Sequence, residues 1–424
     1  MSPQAISIII FAITIVAIVT EKVHRTSAAL AGVVLLLLTG VLSMETAVKH
    51  VDFNTLGVLL GMMLFVAVVR HSGLFEYISI KAAKLSHGDP WKITVAFMVI
   101  TAICSAFLDN VTTVLLMGPM TITMAKMLKI NPTPILLAQI VSSNIGGTMT
   151  MIGDPPNIMI GSAAHFTFLQ FIENTGITCL IGLVVVIFGF KTVFKKRLGA
   201  SDEAIDQVMS LDENKAIADK NLMLTSVFMI GVVVVAFMVH GKLGIDSATV
   251  ALTAGVIMMI IGRQDIEEVV RDVEWTTILF FIGLFIVVGG MVETGVIKSC
   301  ADVIMNISGG RVLLTMVILL WASAFFSSIL DNIPFVATLI PLIQAMAAEG
   351  MDVTPLWWAI SLGACLGGNG TMLGASANVV LCSIAGKNGY PITFNQYAKV
   401  GMPVMIVTVA IANVFLLVKF GLFA

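Results

Sequence analysis

Residues 142–157 read SSNIGGTMTMIGDPPN, and this stretch decides the fold. It lies inside a long apolar region yet carries three glycines, two adjacent prolines, two threonines, two asparagines and an aspartate. A continuous α-helix cannot run through it, since each interior glycine costs about 1 kcal/mol and each proline about 3 kcal/mol. Pro155 and Pro156 also remove two backbone donors and push Asp154 out of helical φ/ψ. A helix broken at membrane depth persists only where protein or a water-filled cavity satisfies the freed backbone groups. The stretch therefore predicts a polar site inside a membrane protein.

Composition agrees. Of the 424 residues, 58% are hydrophobic and 11% charged, and the mean hydropathy is +1.03, whereas soluble domains carry about 25% charge. The net charge of −2 gives no reason to expect a nucleic-acid partner. The segment Met1–Thr20 lacks a basic start and is long enough to remain as a first span rather than a cleaved leader. The five cysteines are scattered and read as small hydrophobes.

Apolar spans of crossing length fall at 5–20, 27–43, 54–69, 175–190, 223–239, 247–262, 276–292 and 400–418. Two further regions, 135–164 and 357–386, are broken by Gly-rich polar centres. Two paired apolar runs, 93–127 and 313–347, each carry an Asp-Asn at the middle, Asp109-Asn110 and Asp331-Asn332. Each is expected to be a re-entrant hairpin with its polar tip at mid-membrane. Residues 195–221 read as a solvated cytoplasmic linker between two halves, 1–194 and 222–424. The halves are read as repeats. A shift of 222 places Asp109 on Asp331, Asn110 on Asn332 and Gly61 on Gly283. A shift of 221 places Gly147 on Gly368, Gly153 on Gly374 and Asn157 on Asn378.

Five crossings and one hairpin per half is an odd number, which inserts the second half upside down, the plan of many secondary transporters. The expected fold is thus all-α integral membrane, with about ten transmembrane helices in two inverted repeats, each with a re-entrant hairpin and one broken helix. With both termini outside, 18 Lys and Arg fall on the cytoplasmic side and 5 on the outer, the bias that the positive-inside rule requires. Arg25 is among the 18.

Two tips and two breaks should meet near mid-membrane, and their polar groups are the candidate substrate or ion site. Asp109 and Asp331 come first, because an intramembrane carboxylate usually serves a pathway; each can also cap the helix that follows it. No Lys or Arg lies in the four motifs, so each carboxylate is expected to hold a cation or a proton. Asn110, Thr112, Thr113 and Asn332 add neutral ligands at the tips. Asn144, Thr148, Asn369, Thr371 and Ser376 add them at the breaks. Gly146, Gly147, Gly153, Gly368 and Gly374 let backbone approach a ligand, with tight helix packing explaining only one or two of them. The half-helices near Asn157 and Asn378 present positive dipole ends. Na⁺ is expected near Asp109, Asn110 and Gly153, and near Asp331, Asn332 and Gly374. Asp154 has only Ala375 opposite it and belongs to one half alone. His71, His87, His165, Glu173, Glu274 and Glu293 flank span ends and read as interfacial. Cys104 and Cys365 lie near the motifs, but one thiol on each side makes no soft-metal site. There is no nucleophile–base pair, HExxH or P-loop, so the chain reads as neither an enzyme nor an ATP-driven pump.

The strings SAFLDNVTTVLLMGPMTI (105–122), SSNIGGTMTMIGDPPNIMIG (142–161), SSILDNIPFVATLIPLI (327–343) and GACLGGNGTMLGASANVV (363–380) resemble the ion transporter superfamily. The likeness is greatest to its ArsB/NhaD branch and the P-protein (pink-eyed dilution) clade, with a citrate transporter-like domain. The resemblance implies alternating access by an elevator-like domain, an H⁺ or Na⁺ coupling ion, no other cofactor, and often a homodimer. For some arsenite permeases it also implies a soluble ATPase partner. The lead expectation is a carrier of a small oxyanion or weak acid, arsenite- or antimonite-like by family. A Na⁺/H⁺ antiporter and a di- or tricarboxylate carrier are the alternatives. The family's arsenite permeases usually carry a second acidic residue at the first tip; here Asn110 is followed by Val111 and Thr112, a departure that leans to the P-protein clade. Lipid and a small ion are the expected partners, in a prokaryotic plasma membrane.

Overall fold

The computed structural model describes residues 2–20, 22–195 and 198–421. Met1 of the expected first segment, and Lys196 and Arg197 of the linker and its basic set, lie outside the described residues. The first half runs α1 (Pro3–Thr20), α2 (Arg25–Leu38), α3 (Met44–Lys49), α4 (Phe53–Arg70), α5 (Leu74–Leu85), α6 (Pro90–Phe107), α7 (Asn110–Met127), α8 (Thr133–Thr148) and α9 (Pro155–Ala163). A helical turn, α10 (Phe168–Phe171), continues through a π-helical turn into α11 (Ile177–Phe194). The linker holds α12 (Asp202–Met209). The second half runs α13 (Lys220–Leu243), α14 (Ser247–Gly262), α15 (Ile266–Arg271), α16 (Trp275–Glu293), α17 (Val296–Ser308), α18 (Val312–Ile329), α19 (Asn332–Ala348), α20 (Thr354–Gly367), α21 (Ser376–Lys387) and α22 (Phe394–Gly421). No strand occurs among the described residues.

Eight helices among the described residues are long and apolar enough to cross a membrane. Ile13, Val16, Leu180, Phe188, Phe228 and Val235 are each more than half exposed. Such a surface suits lipid tails, which are as apolar as the side chains themselves. The helices that cover it (α1, α11, α13) have a minority of their residues buried, whereas α4 and α16 are mostly buried. This is an all-α integral membrane fold.

Both expected interruptions are present. The chain leaves helix at Met149–Asp154 and again at Gly368–Ala375. The hairpin tips are sharp: Leu108 and Leu330 are extended, and Asp109 and Asp331 start the next helix as N-caps. The hairpin arms are 17 or 18 residues long, at about 1.5 Å per residue enough for roughly 26 Å.

The two halves interlace. Helix α4 packs on α14, and α16 on α2. Both crossings are close because of glycine: a Cβ on Gly61 would meet the Ala251 backbone at 2.3 Å, and one on Gly283 would meet Ala29 at 2.9 Å. Helix α9 packs on the second hairpin's α19, and α21 on the first hairpin's α7. Particular bonds recur 221 or 222 residues apart. Thr150 Oγ1 donates to the Ala106 carbonyl, and Thr371 Oγ1 to that of Ser328.

The linker is not a solvated tether. Its α12 lies on α5 and α7, burying Ala204 and Val208, while Leu198 joins an apolar cluster with Phe97, Met124 and Leu128. Lys84 Nζ donates to the Leu211 carbonyl at 3.0 Å and to Glu213 Oε2 at 2.6 Å. The Lys84 ammonium holds the Glu213 carboxyl below the usual carboxylate range. In an eight-residue helix two buried positions four apart are enough to dock it, too short a period to stand out in the sequence.

Candidate functional site

Asp154 is 1% exposed, and Asn332 Nδ2 donates to its two oxygens at 3.3 and 3.2 Å. This bond ties the first half's break to the second half's hairpin tip. Among the described residues no cationic side chain pairs with Asp154, and it makes no cap bond to α9. A buried, unpaired carboxylate is too costly to keep charged without a partner, so it must carry a proton or face a cation.

Around it lies a cavity of about 20 Å³, lined by Asp109, Asn110, Asp154, Asn332 and Ser376 together with Arg25, Glu274 and Thr277. A water needs about 10–15 Å³ on this measure, so the space suits one water or one monatomic cation. A second cavity, about 370 Å³, adjoins it through Arg25 and Ser376 and is lined also by Asp331, His24 and Val380. The site residues of the two tips and two breaks thus converge, in part, on one place.

Asp331 corrects the expectation that neither tip carboxylate has a counter-charge. Arg25 Nη1 lies 3.3 Å from Asp331 Oδ2 and donates to Ser376 Oγ at 2.6 Å. Ser376 Oγ in turn donates to the same carboxylate oxygen at 2.6 Å. Arg25 Nη2 reaches Thr277 Oγ1 at 3.5 Å, and its guanidinium stacks 5.2 Å from the Phe280 ring centre. The arginine therefore belongs to the site and not to a cytoplasmic loop. Glu274, read as interfacial, also belongs to it, accepting from Thr277 Oγ1 at 3.0 Å. At the second tip, the other place where Na⁺ is expected, Asp331 faces Arg25, Asn332 donates to Asp154, and Gly374 packs on Gly368 and Ser327.

The cap reading of the tips holds. Asp109 accepts from the Thr112 amide at 3.0 Å and from Thr112 Oγ1, so that hydroxyl is spent on the tip. Asp331 Oδ1 accepts from the Ile333 amide at 3.1 Å. Thr113 Oγ1 is buried without a partner among the described residues.

Several candidates frame the site rather than line it. Asn157 Nδ2 collects the break's freed carbonyls, donating to Thr150 at 2.9 Å and Thr148 at 3.2 Å. Asn378 Nδ2 does the same for Gly368 at 2.7 Å and Thr371 at 2.9 Å. Asn157 Oδ1 accepts from Ser361 Oγ at 2.7 Å and from the Cys365 thiol at 3.5 Å. Asn144 Nδ2 donates to Asn369 Oδ1 and Asn378 Oδ1, which joins the two breaks where they cross. Thr148 Oγ1 bonds back to the Asn144 carbonyl, and Thr371 is committed to Ser328. The glycines are corrected as a group. A Cβ on Gly146 would meet the Ala102 carbonyl at 2.2 Å, on Gly153 that of Ser105 at 2.4 Å, and on Gly147 and Gly368 the Gly153 and Gly374 carbonyls at 2.8 and 3.0 Å. Gly146, Gly153 and Gly374 let hairpin and break pack backbone to backbone, and Gly147 and Gly368 let the two ends of each break close on one another, so tight packing accounts for all five and not one or two.

Half-buried carboxylates gathered around a buried one, Asp154, where two interrupted helices meet inside an all-α membrane fold, suit a membrane transporter. The chain belongs to the citrate transporter family (CitMHS), whose profile matches residues 15–363. It is 38% identical to the "46 kDa membrane protein" of Mycobacterium leprae over 98% of this chain and 99% of that one. An uncharacterised transporter of Mycobacterium tuberculosis is also 38% identical over the same shares. The P protein of Homo sapiens is 30% identical over 95% of this chain and 58% of its own length. The solved structure of the YdaH transporter of Alcanivorax borkumensis superposes with a TM-score of 0.64 at 14% identity, covering 89% of this chain and 88% of that one. The chain is a membrane transporter, not an enzyme.

Proposed function

We propose that this transporter is a secondary active carrier that exchanges a small cation against protons by alternating access between two inverted repeats. The observation that carries this reading is the charge of the site. Asp109, Asp154 and Glu274 line a cavity with room for one water-sized ion, Asp331 adjoins it, and Arg25 is the one guanidinium among them. Excess carboxylate favours a cation or a proton over an anion. Asp109, Asn110 and Asp154 are the ligands we assign to the coupling Na⁺ or H⁺. No other cofactor is required.

A second reading keeps the small oxyanion or weak acid. Arg25 and Ser376 face both cavities, and the larger one has the volume of a small-molecule site. There an arsenite-like substrate, or a carboxylate such as the citrate of the family's name, would displace Asp331 from the guanidinium. We further place the protein in a prokaryotic plasma membrane as a homodimer, with both termini outside and residues 195–221 cytoplasmic.

Proteoliposomes containing a pH-sensitive dye test this. Dequenching on addition of Na⁺ or Li⁺, but not of arsenite or citrate, is the expected result. A response to arsenite or citrate alone would replace cation exchange with the oxyanion reading.

A further inference from the structure

Two tip aspartates that correspond in sequence have different company. Asp109 receives the amide and hydroxyl of Thr112. At the position matching Thr112 the second tip has Pro334, which offers neither an amide proton nor a hydroxyl. Asp331 Oδ2 is thereby left to outside donors, and it takes Ser376 Oγ at 2.6 Å and Arg25 Nη1 at 3.3 Å. The position matching Arg25 is Ser247, so the first tip has no such cation. The guanidinium is held from three other directions, by Ser376 Oγ, by Thr277 Oγ1 and by the Phe280 ring. Its helix, α2, packs on α1 and α16 and lies outside the hairpin that carries Asp331.

Resting on the cation-exchange reading above, we infer that Arg25 is a tethered cation that takes the place of a coupling ion at the Asp331 tip. The carrier then has one exchangeable cation site, on the Asp109–Asp154 side, where its two-fold sequence pattern suggests two. Arg25 is a specificity-determining residue: it fixes how many ions the carrier takes. Pro334 and Ser376 adapt the second tip to accept it.

The test is a count of Na⁺ bound per chain, by calorimetric titration of the purified full-length protein with NaCl at constant ionic strength in choline chloride, repeated with LiCl. R25Q is expected to bind one ion more than the unsubstituted protein, R25Q/D331N to return to the original number, and R25K to leave it unchanged. D331N alone is expected to keep the original number, because Asp331 holds no exchangeable ion; this variant decides the matter if R25Q does not fold. Equal counts in R25Q and the unsubstituted protein, or one ion lost in D331N, overturn the inference. A count of zero in the unsubstituted protein with a count of one in R25Q would sink the cation-exchange reading while leaving the role of Arg25 intact.

Discussion

At the scale of single residues, the chemistry turns on Asp154. It is the buried carboxylate with an amide donor and no cation, and position 375 in the other half is an alanine. D154N preserves shape and can still accept from Asn332, so the variant is expected to fold and to melt near the unsubstituted protein. Its cation-driven proton flux in proteoliposomes is expected to fall by about 10² or more, the order seen when a positioned proton carrier is lost. D154A is expected to add a stability loss of about 1–3 kcal/mol, since the Asn332 amide is then buried without an acceptor. Normal flux in D154N would make Asp154 a spectator. Asp154 was legible in the sequence because a charge beside two prolines in an apolar run has few innocent explanations. Arg25 and Glu274 were not. Each stands at the edge of a span, where a charge ordinarily serves the interface, and nothing within ten residues of either signals a site. Their membership comes from packing together segments more than a hundred residues apart, which periodicity does not report.

At the scale of elements, the glycines of the breaks are structural, and substitutions grade them. In G153A the new methyl meets the Ser105 carbonyl at 2.4 Å and the Gly147 Cα at 2.8 Å. Backbone cannot yield as a side chain does, so the expected loss is about 1–3 kcal/mol, read as a lower melting temperature in detergent. Gly189, inside α11 with nothing within 4 Å, is the control: G189A is expected to be neutral or to gain up to about 1 kcal/mol from helix propensity. The docked linker gives a pH prediction. Lys84 holds Glu213 below its ordinary value, so the ionised pair favours docking above the unfolded carboxylate's value, near pH 4.3, and that contribution is lost as pH falls through the lower folded value. Protection of 198–219 against hydrogen exchange, corrected for the intrinsic exchange rate at each pH, is expected to fall in that acid window, and E213Q to remove that pH dependence. Protection flat with pH in the unsubstituted protein would leave the apolar contacts of Leu198, Ala204 and Val208 as the whole of the docking. The breaks and tips could be located in the sequence because Gly, Pro and Asp-Asn interrupt apolar runs. The linker's role could not, because its apolar residues are few and its charges many.

At the scale of the molecule, the claim to test is that the halves sit upside down relative to each other. The interlaced contacts, α4 on α14 and α16 on α2, and the bonds that recur 221 or 222 residues apart are its support. So is the charge bias, which hardly changes when Arg25 moves from loop to site, since 17 basic residues still face 5. Glu45 and Glu267 make a direct probe. They are exposed, correspond at a shift of 222, and lie in the first turns of the matching short helices α3 and α15. Parallel repeats would put both on one side of the membrane; inverted repeats put them on opposite sides. In a background where the exposed Cys300 is serine, a membrane-impermeant maleimide applied to intact cells is expected to label E45C, and to label E267C only after permeabilisation. Labelling of both from outside, or of neither, would mean an even number of crossings between them. With the halves no longer inverted, the cavities beside Asp331 and beside Asp52 and Ser162 could not serve as the two alternating mouths of one pathway.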